Sequence, residues 1–177
     1  MKQYTIAVLG GDGIGPEVTA EAERVLRTVA DRFGLGLAMP HFPIGATAVA
    51  SSGSPLPEET RAAVVRADAV LLGAVGDPSL DQAPRELRPE TGLLALRALL
   101  AVFANLRPVA IHPALTDRSP LRPERLQGVD LLIVRELTGG LYYGEPRGKT
   151  AVQAVNTLMY SVSEIERVTR VAFDSAR

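Results

Sequence analysis

Hydrophobic positions along this chain follow two alternating rhythms. Tyr4 to Leu9 is a short run rich in β-branched residues that stops at Gly10-Gly11, which predicts a buried strand. Val18, Ala22, Val25, Leu26 and Val29 then recur at helical spacing. Pro16 and Glu17 suit the first turn of that helix, and Gly34 and Gly36 end it. A weaker strand follows over 37–42. A second helix opens at Pro57-Glu58-Glu59, with Ala62, Val64 and Val65 on its apolar side. Ala69 to Ala74 reads as another strand apolar on both faces. Strands of this kind, alternating with helices, predict an α/β fold with a mostly parallel sheet flanked by helices.

The pattern breaks over 75–90, which is rich in Gly, Pro, Asp and Arg and has no period. Aperiodic segments of that length inside compact domains are usually functional or disordered. Leu93, Leu94, Leu96, Leu100 and Ala101 give the next helix a broad apolar face. A strand is predicted over 104–111, where Pro108 argues for an edge or a terminus. A polar, proline-rich stretch then leads to a third buried strand over 129–134. Residues 137–148 are glycine-rich and carry Tyr142 and Tyr143. Residues 151–160 fit no single element. Ser163 with Glu166 fits a capping box opening a last helix through Ile165, Val168, Val171 and Ala172.

Composition narrows the chemistry. The 177 residues are 46% hydrophobic with a net charge of -1, so a packed core is expected and a basic nucleic-acid surface is not. Cysteine is absent, which excludes disulfides, thiol catalysis and cysteine-ligated zinc. The two histidines, His41 and His112, cannot alone form a multi-histidine metal site. No apolar run reaches membrane-spanning length, and 4–9 is too short for a signal-peptide core. A cytoplasmic protein with no membrane or nucleic-acid partner is the expectation.

GGDGIGPE over 10–17 joins a strand to a helix, a place where N–H groups can meet an anion. It lacks the third glycine of the dinucleotide fingerprint, because that position is Pro16. A tight turn needing positive φ explains it equally well. Gly148-Lys149-Thr150 resembles the end of a P-loop, but its first glycine would fall on Tyr143. Arg97 interrupts an apolar helix face, Arg107 sits near a strand start, and Arg135 follows a buried strand. A guanidinium matches a carboxylate with two parallel hydrogen bonds, so converging arginines suit a small dicarboxylate. Taken singly, each is more readily explained as an ordinary ion-pairing residue. A tyrosine such as Tyr142 can donate a proton when its surroundings favour it, or it can simply pack. Asp12, Asp77 and Asp81 are scattered acids with no metal-ligand spacing.

Longer motifs carry a resemblance. LLGAVGDP (71–78), PRELRPETGLLALR (84–97), FANLRPV (103–109), VRELTGGLYYGEPRG (134–148) and NTLMYS (156–161), together with GGDGIGPE, stand in one order over nearly the whole chain. In that order the chain resembles the N-terminal portion of the isocitrate/isopropylmalate dehydrogenase family. Glu90 followed by Leu93-Leu94 is similar to the isopropylmalate branch; the serine-bearing pattern of isocitrate relatives is missing.

The resemblance implies NAD-dependent oxidative decarboxylation of 3-isopropylmalate to 2-oxoisocaproate, in leucine biosynthesis. Arg97, Arg107 and Arg135 match arginines that hold the malate carboxylates, and Leu93 and Leu94 would face the isopropyl group. Tyr142 matches a tyrosine that returns a proton to the enol. The stretch Asp77-Pro78-Ser79-Leu80-Asp81-Gln82-Ala83-Pro84-Arg85-Glu86-Leu87-Arg88-Pro89-Glu90 matches the NAD-contacting loop, although Ser79-Leu80 stands where members often have a lysine and an aromatic residue. Residues 1–102 would be the start of a first domain completed by the C-terminal part of family members. Residues 103–177 would begin a second, dimer-forming domain, left incomplete. The family's catalytic lysine and its aspartates for Mg2+ or Mn2+ lie downstream of the matching region, so no metal ligand is assigned here and the chain alone is expected to be inactive. A homodimer is the expected assembly. A truncated, non-catalytic assembly protein, or a homoisocitrate or tartrate dehydrogenase, are the competing readings.

Overall fold

The computed structural model describes residues 3–177, which form two compact units, one ending at Leu100 and the other covering Ala101–Arg177. In the first unit β1 (Gln3–Gly11) is the central strand of a three-stranded parallel sheet. It pairs with β2 (Gly36–Ala38) on one side and β3 (Ala69–Ala74) on the other. A central strand is covered on every side, and Ala7, Val8 and Leu9 are fully buried. They meet Ile44, Leu56, Val64 and Leu96 in one core. Three helices frame it: α1 (Gly15–Phe33), α2 (Ala46–Ser52) and α3 (Glu58–Arg66). A fourth, α4 (Pro89–Leu99), adds Leu96 to the core.

The α1 period is as expected, but the buried face is not the valine face. Thr19, Glu23 and Ala30 are its buried positions, while Val18, Val25, Val29 and Phe33 stay exposed. The cause is the close approach of the helix start to the sheet. A Cβ on Gly15 would run into the Gly10 carbonyl, and one on Gly73 would do the same. Thr19 folds its hydroxyl back onto the Gly15 carbonyl at 2.9 Å, which suits a small, self-satisfied contact residue. The weak strand expected over 37–42 shortens to β2 plus a single bridge between Val8 and His41. Helix α2 had no periodic signal, because its seven residues are mostly Ala and Ser.

The second unit is built on an antiparallel ladder of β4 (Ala104–Ala110) and β5 (Asp130–Glu136). Its antiparallel pairing departs from the parallel pattern of the first unit. β5 is also not buried: Leu131, Leu132 and Ile133 are 56%, 43% and 50% exposed. An apolar run predicts a covered strand only when something covers it. The short α5 (Pro123–Leu126) follows β4. A small hairpin of β6 (Gly148–Lys149) and β7 (Ala154–Val155) resolves the region that fitted no single element. Helix α6 (Val162–Ser175) packs on β5. Its capping box uses Ser161 and Glu164, two residues before the expected Ser163 and Glu166. Both pairs satisfy the same spacing, and the helix starts at the earlier one.

Two glycines of the first turn separate conformational strain from steric contact. Gly11 has φ 77° and no room for a Cβ against the Ala74 carbonyl, whereas Gly13 has φ 55° and open space. Gly13→Ala is expected to cost about 1 kcal/mol, the left-handed penalty alone. Gly11→Ala adds a backbone collision and is expected to cost about 3 kcal/mol or more. Urea unfolding of the two variants measures the difference.

Candidate functional site

The glycine-rich turn after β1 is organised around a carboxylate of its own. Asp12 is 5% exposed and accepts hydrogen bonds from the backbone of Ala46, Thr47 and Gly76 at 3.0, 2.9 and 3.0 Å. The Thr47 hydroxyl donates to it as well, at 3.2 Å. Burial alone would raise its pKa; these hydrogen bonds outweigh that and hold the carboxyl below its ordinary value. Asp12 therefore joins three segments: the turn, the start of α2, and the residue just before the 77–90 stretch. The sequence reading left it among scattered acids. Its nearest partner is 34 residues away, so no local signal marks it. The contacts at Gly11 and Gly15 settle why the turn is glycine-rich: the backbone of β3 passes too close for side chains.

The 77–90 stretch is ordered rather than irregular. Asp77 caps a 3-10 turn over Pro78–Leu80 by accepting from the Ser79 amide at 2.8 Å. Hydrogen bonds from Ser79 keep the Asp77 carboxyl below its ordinary value. A second 3-10 turn covers Arg85–Leu87, and the Thr91 hydroxyl donates to the Arg85 carbonyl at 2.6 Å. Arg88 Nε donates to the Ala83 carbonyl at 2.9 Å. Pro89 and Glu90 already belong to α4, so the stretch ends earlier than the sequence reading placed it. A cavity of about 340 Å³ opens between Asp12, Gly13, Ala46, Thr47, Asp77, Ser79 and Leu80. On α4, Glu90, Leu93, Leu94 and Arg97 share one face by helical spacing, opposite the buried Gly92 and Leu96. Leu93, Leu94 and Arg97 are half-buried there.

In the second unit the ladder register aligns two of the candidate arginines. Asn105 faces Arg135 and Arg107 faces Ile133, so Arg107 and Arg135 are diagonal neighbours on the same face. Arg107 Nε donates to Asn105 Oδ1. Arg135 Nη2 donates to the Tyr142 hydroxyl at 2.7 Å, and its guanidinium lies 5.4 Å from the centre of that ring. Among the described residues only Arg24, Arg27, Arg167 and Arg177 are ion-paired arginines; Arg97, Arg107 and Arg135 are among the majority of arginines that are not. A guanidinium without a protein carboxylate keeps its fork for another one.

Glu136 follows Arg135 and was not singled out in the sequence. Its side chain is 7% exposed. It accepts from the amides of Thr138 and Gly139 at 2.8 and 2.7 Å, and from the Thr138 hydroxyl at 2.9 Å. Arg167 of α6 donates to it at 2.6 Å. Burial works to raise its pKa, and the Arg167 and backbone hydrogen bonds overcome that and leave it lowered. The one local hint was an acid two residues before a threonine at a strand end.

The remaining candidates have structural partners. His41 Nε2 lies 3.0 Å from the buried Glu23 carboxylate, and His112 Nδ1 accepts from the Ala114 amide. Gly148–Lys149 forms a hairpin strand and opens no helix, which removes the P-loop context. Among the described residues no group of His, Asp and Glu comes together as a metal site, and no helix is long and apolar enough to cross a membrane.

The fold has close counterparts among solved structures of decarboxylating dehydrogenases. The isocitrate dehydrogenase of Methylococcus capsulatus aligns with a TM-score of 0.77 at 28% identity, over 98% of this chain and 48% of that one. The class is thus that of α/β dehydrogenases of the isocitrate type. In sequence, the isocitrate/isopropylmalate dehydrogenase profile matches residues 5–177, and the chain belongs to that family. It is 51% identical over its full length to the 3-isopropylmalate dehydrogenase of Synechococcus sp. (strain CC9605), and covers 51% of that protein. The corresponding enzyme of Thermosynechococcus vestitus is 54% identical over 98% of this chain and 50% of its own length. The chain spans about half the length of the curated relatives it matches.

The lowered Asp12 and Glu136 pKa values fix a sign for the acid response. Each carboxyl binds its proton more weakly in the folded state, so its stabilisation is present above the unfolded value and is lost as pH falls through the folded one. Urea midpoints are expected to fall below about pH 4.5. The fall should be shallower for the first unit in Asp12→Asn and for the second in Glu136→Gln, as read by unit-specific amide signals.

Proposed function

We propose that this chain supplies part of the site of a 3-isopropylmalate dehydrogenase, which converts 3-isopropylmalate to 2-oxoisocaproate for leucine biosynthesis. The observation that carries the reading is the pair of guanidiniums, Arg107 and Arg135, on one ladder face, with no carboxylate partner among the described residues and with Arg135 bonded to Tyr142. The names of the relatives at about half identity support the substrate. Arg107 and Arg135 in the second unit are read as carboxylate-holding residues for the malate, and Arg97 on α4 of the first unit is read as another. Leu93 and Leu94, on the same α4 face as Arg97, receive the isopropyl group.

Oxidation at the hydroxyl-bearing carbon would use bound NAD as the hydride acceptor, with the hydroxyl proton passing to a base that the family resemblance puts in the other half of the enzyme. The cavity beside Asp77, Ser79 and Leu80 is at the small end of ligand cavities and fits part of a dinucleotide. Residues 77–88 and Glu90 would line its approach; Pro89, which belongs to the same expected stretch, is fully buried at the start of α4 and cannot. The oxidised acid then loses CO2, and the electrons of the broken C–C bond form an enolate. Arginines hold the carboxylates without changing protonation state, because guanidinium stays charged. Tyr142 supplies the proton that the enolate carbon takes up. Arg135 already donates to the Tyr142 oxygen, so the phenol's own hydrogen is directed elsewhere and is free to be given. Among the described residues no His, Asp and Glu come together as a metal-ligand set, and the aspartates that would hold Mg2+ or Mn2+ are expected from the other half of the enzyme. Cytoplasmic location and a homodimer complete the reading; exposed leucines and isoleucine on both ladder faces, Leu131 and Ile133 on one and Leu106 and Leu132 on the other, support further burial of this ladder.

The test is NADH formation by the chain, alone and joined to the second half of the Synechococcus relative, with a panel of 2-hydroxy acids. Isopropylmalate is expected to be preferred in the joined form, and Arg97→Ala or Arg135→Ala to lower kcat/KM about 100-fold or more. Preference for homoisocitrate or tartrate would displace the substrate, and near-wild-type rates in both variants would remove the arginine roles. Wild-type turnover by the chain alone would overturn its expected dependence on the other half.

A further inference from the structure

The segment between Arg135 and Tyr142 closes on itself. Tyr142 returns to Arg135 through the 2.7 Å hydrogen bond, seven residues on. Such a closure depends on the turn at 137–141, and three groups hold that turn. The Glu136 carboxylate takes the Thr138 and Gly139 amides and the Thr138 hydroxyl. Arg167, whose guanidinium also stacks 4.7 Å from the Phe103 ring centre, donates from one nitrogen to both Glu136 and the Thr138 hydroxyl. The Gly140 amide donates to the Met159 carbonyl at 3.0 Å, and the Tyr160 hydroxyl fills the space a Cβ on Gly140 would need. On the far side, Arg147 donates to the carbonyls of Leu141 and Tyr142.

We infer that Glu136, held by Arg167, is a positioning residue that sets the Tyr142 hydroxyl against Arg135. A buried carboxylate saturated by four donors has one geometry, and the turn inherits it. Glu136 touches no reacting atom; it acts through Tyr142. The inference rests on the reading of Tyr142 as proton donor for its catalytic consequence, and on the turn geometry alone for its structural one.

Two arms separate those layers. In the 177-residue chain, Glu136→Gln is expected to raise amide exchange of Thr138 and Gly139 about tenfold. It should also remove the Arg135–Tyr142 contact seen by NMR, while β4, β5 and α6 amides keep their protection. Glu136→Asp, with shorter reach but the same charge, should restore part of the contact. An unchanged Arg135–Tyr142 contact in Glu136→Gln would overturn the inference, as would equal loss of protection across the whole unit in both variants. In the joined enzyme, Glu136→Gln should lower kcat about tenfold with KM little changed, and should lower it no further in a Tyr142→Phe background. An additive loss in that background would overturn the inference. If Tyr142→Phe itself leaves kcat intact, the proton-donor reading falls, and the NMR arm still decides the positioning role.

Discussion

The first unit depends on a backbone crossing with no room for side chains. The turn leaving β1 lies against the end of β3 so closely that Gly11, Gly15 and Gly73 cannot carry a Cβ without meeting a carbonyl oxygen. That contact brings the start of α1 onto the sheet and aligns Asp12 with three backbone amides at once. It also fixes where the 77–90 stretch begins, and the stretch's own hydrogen bonds order the rest. Gly76 is anchored by Asp12, the two 3-10 turns build outward from there, and the stretch runs into α4 at Pro89.

The second unit solves a similar problem in a similar way. Glu136, at the end of β5, is buried and saturated by donors from the turn that follows it and by Arg167, whereas Asp12, after β1, is saturated by donors from the distant Ala46, Thr47 and Gly76. In both places a carboxylate gathers orphan N–H groups where a strand gives way to a glycine-rich turn. In both, residues with candidate chemistry follow a backbone donor to the anchor: Asp77 and Ser79 follow Gly76, and Tyr142 follows Gly139. The difference is the counter-charge: Glu136 has Arg167, while Asp12 relies on neutral donors.

Much of this was legible in the residue pattern. β1, α1, β3 and α4 were marked by period and by their glycine and proline boundaries, and the family by the long arginine-bearing motifs. The buried face of α1 was not, because its contact positions are Thr19, Glu23 and Ala30, chosen by fit at a close crossing rather than by hydrophobicity. The exposure of β5 was equally invisible, since Leu131 to Ile133 read as core whether or not anything lies over them. Arg107, Arg135 and Tyr142 were found by motif, and the ladder register then placed the two arginines side by side. Asp12 escaped because the nearest partner of its side chain is 34 residues away, and Glu136 because its counter-charge, Arg167, is 31 residues away and its local donors are backbone amides and one hydroxyl that carry no pattern.

The most direct measurement is a titration of 3-isopropylmalate into the joined enzyme, with the Nε–H resonances of Arg107 and Arg135 observed. Saturable shifts of both, absent when the carboxylates are esterified, are the expected result, because neither guanidinium has a carboxylate of its own. Saturation by substrate that leaves both resonances unmoved would contradict the assignment of this ladder face as the carboxylate site.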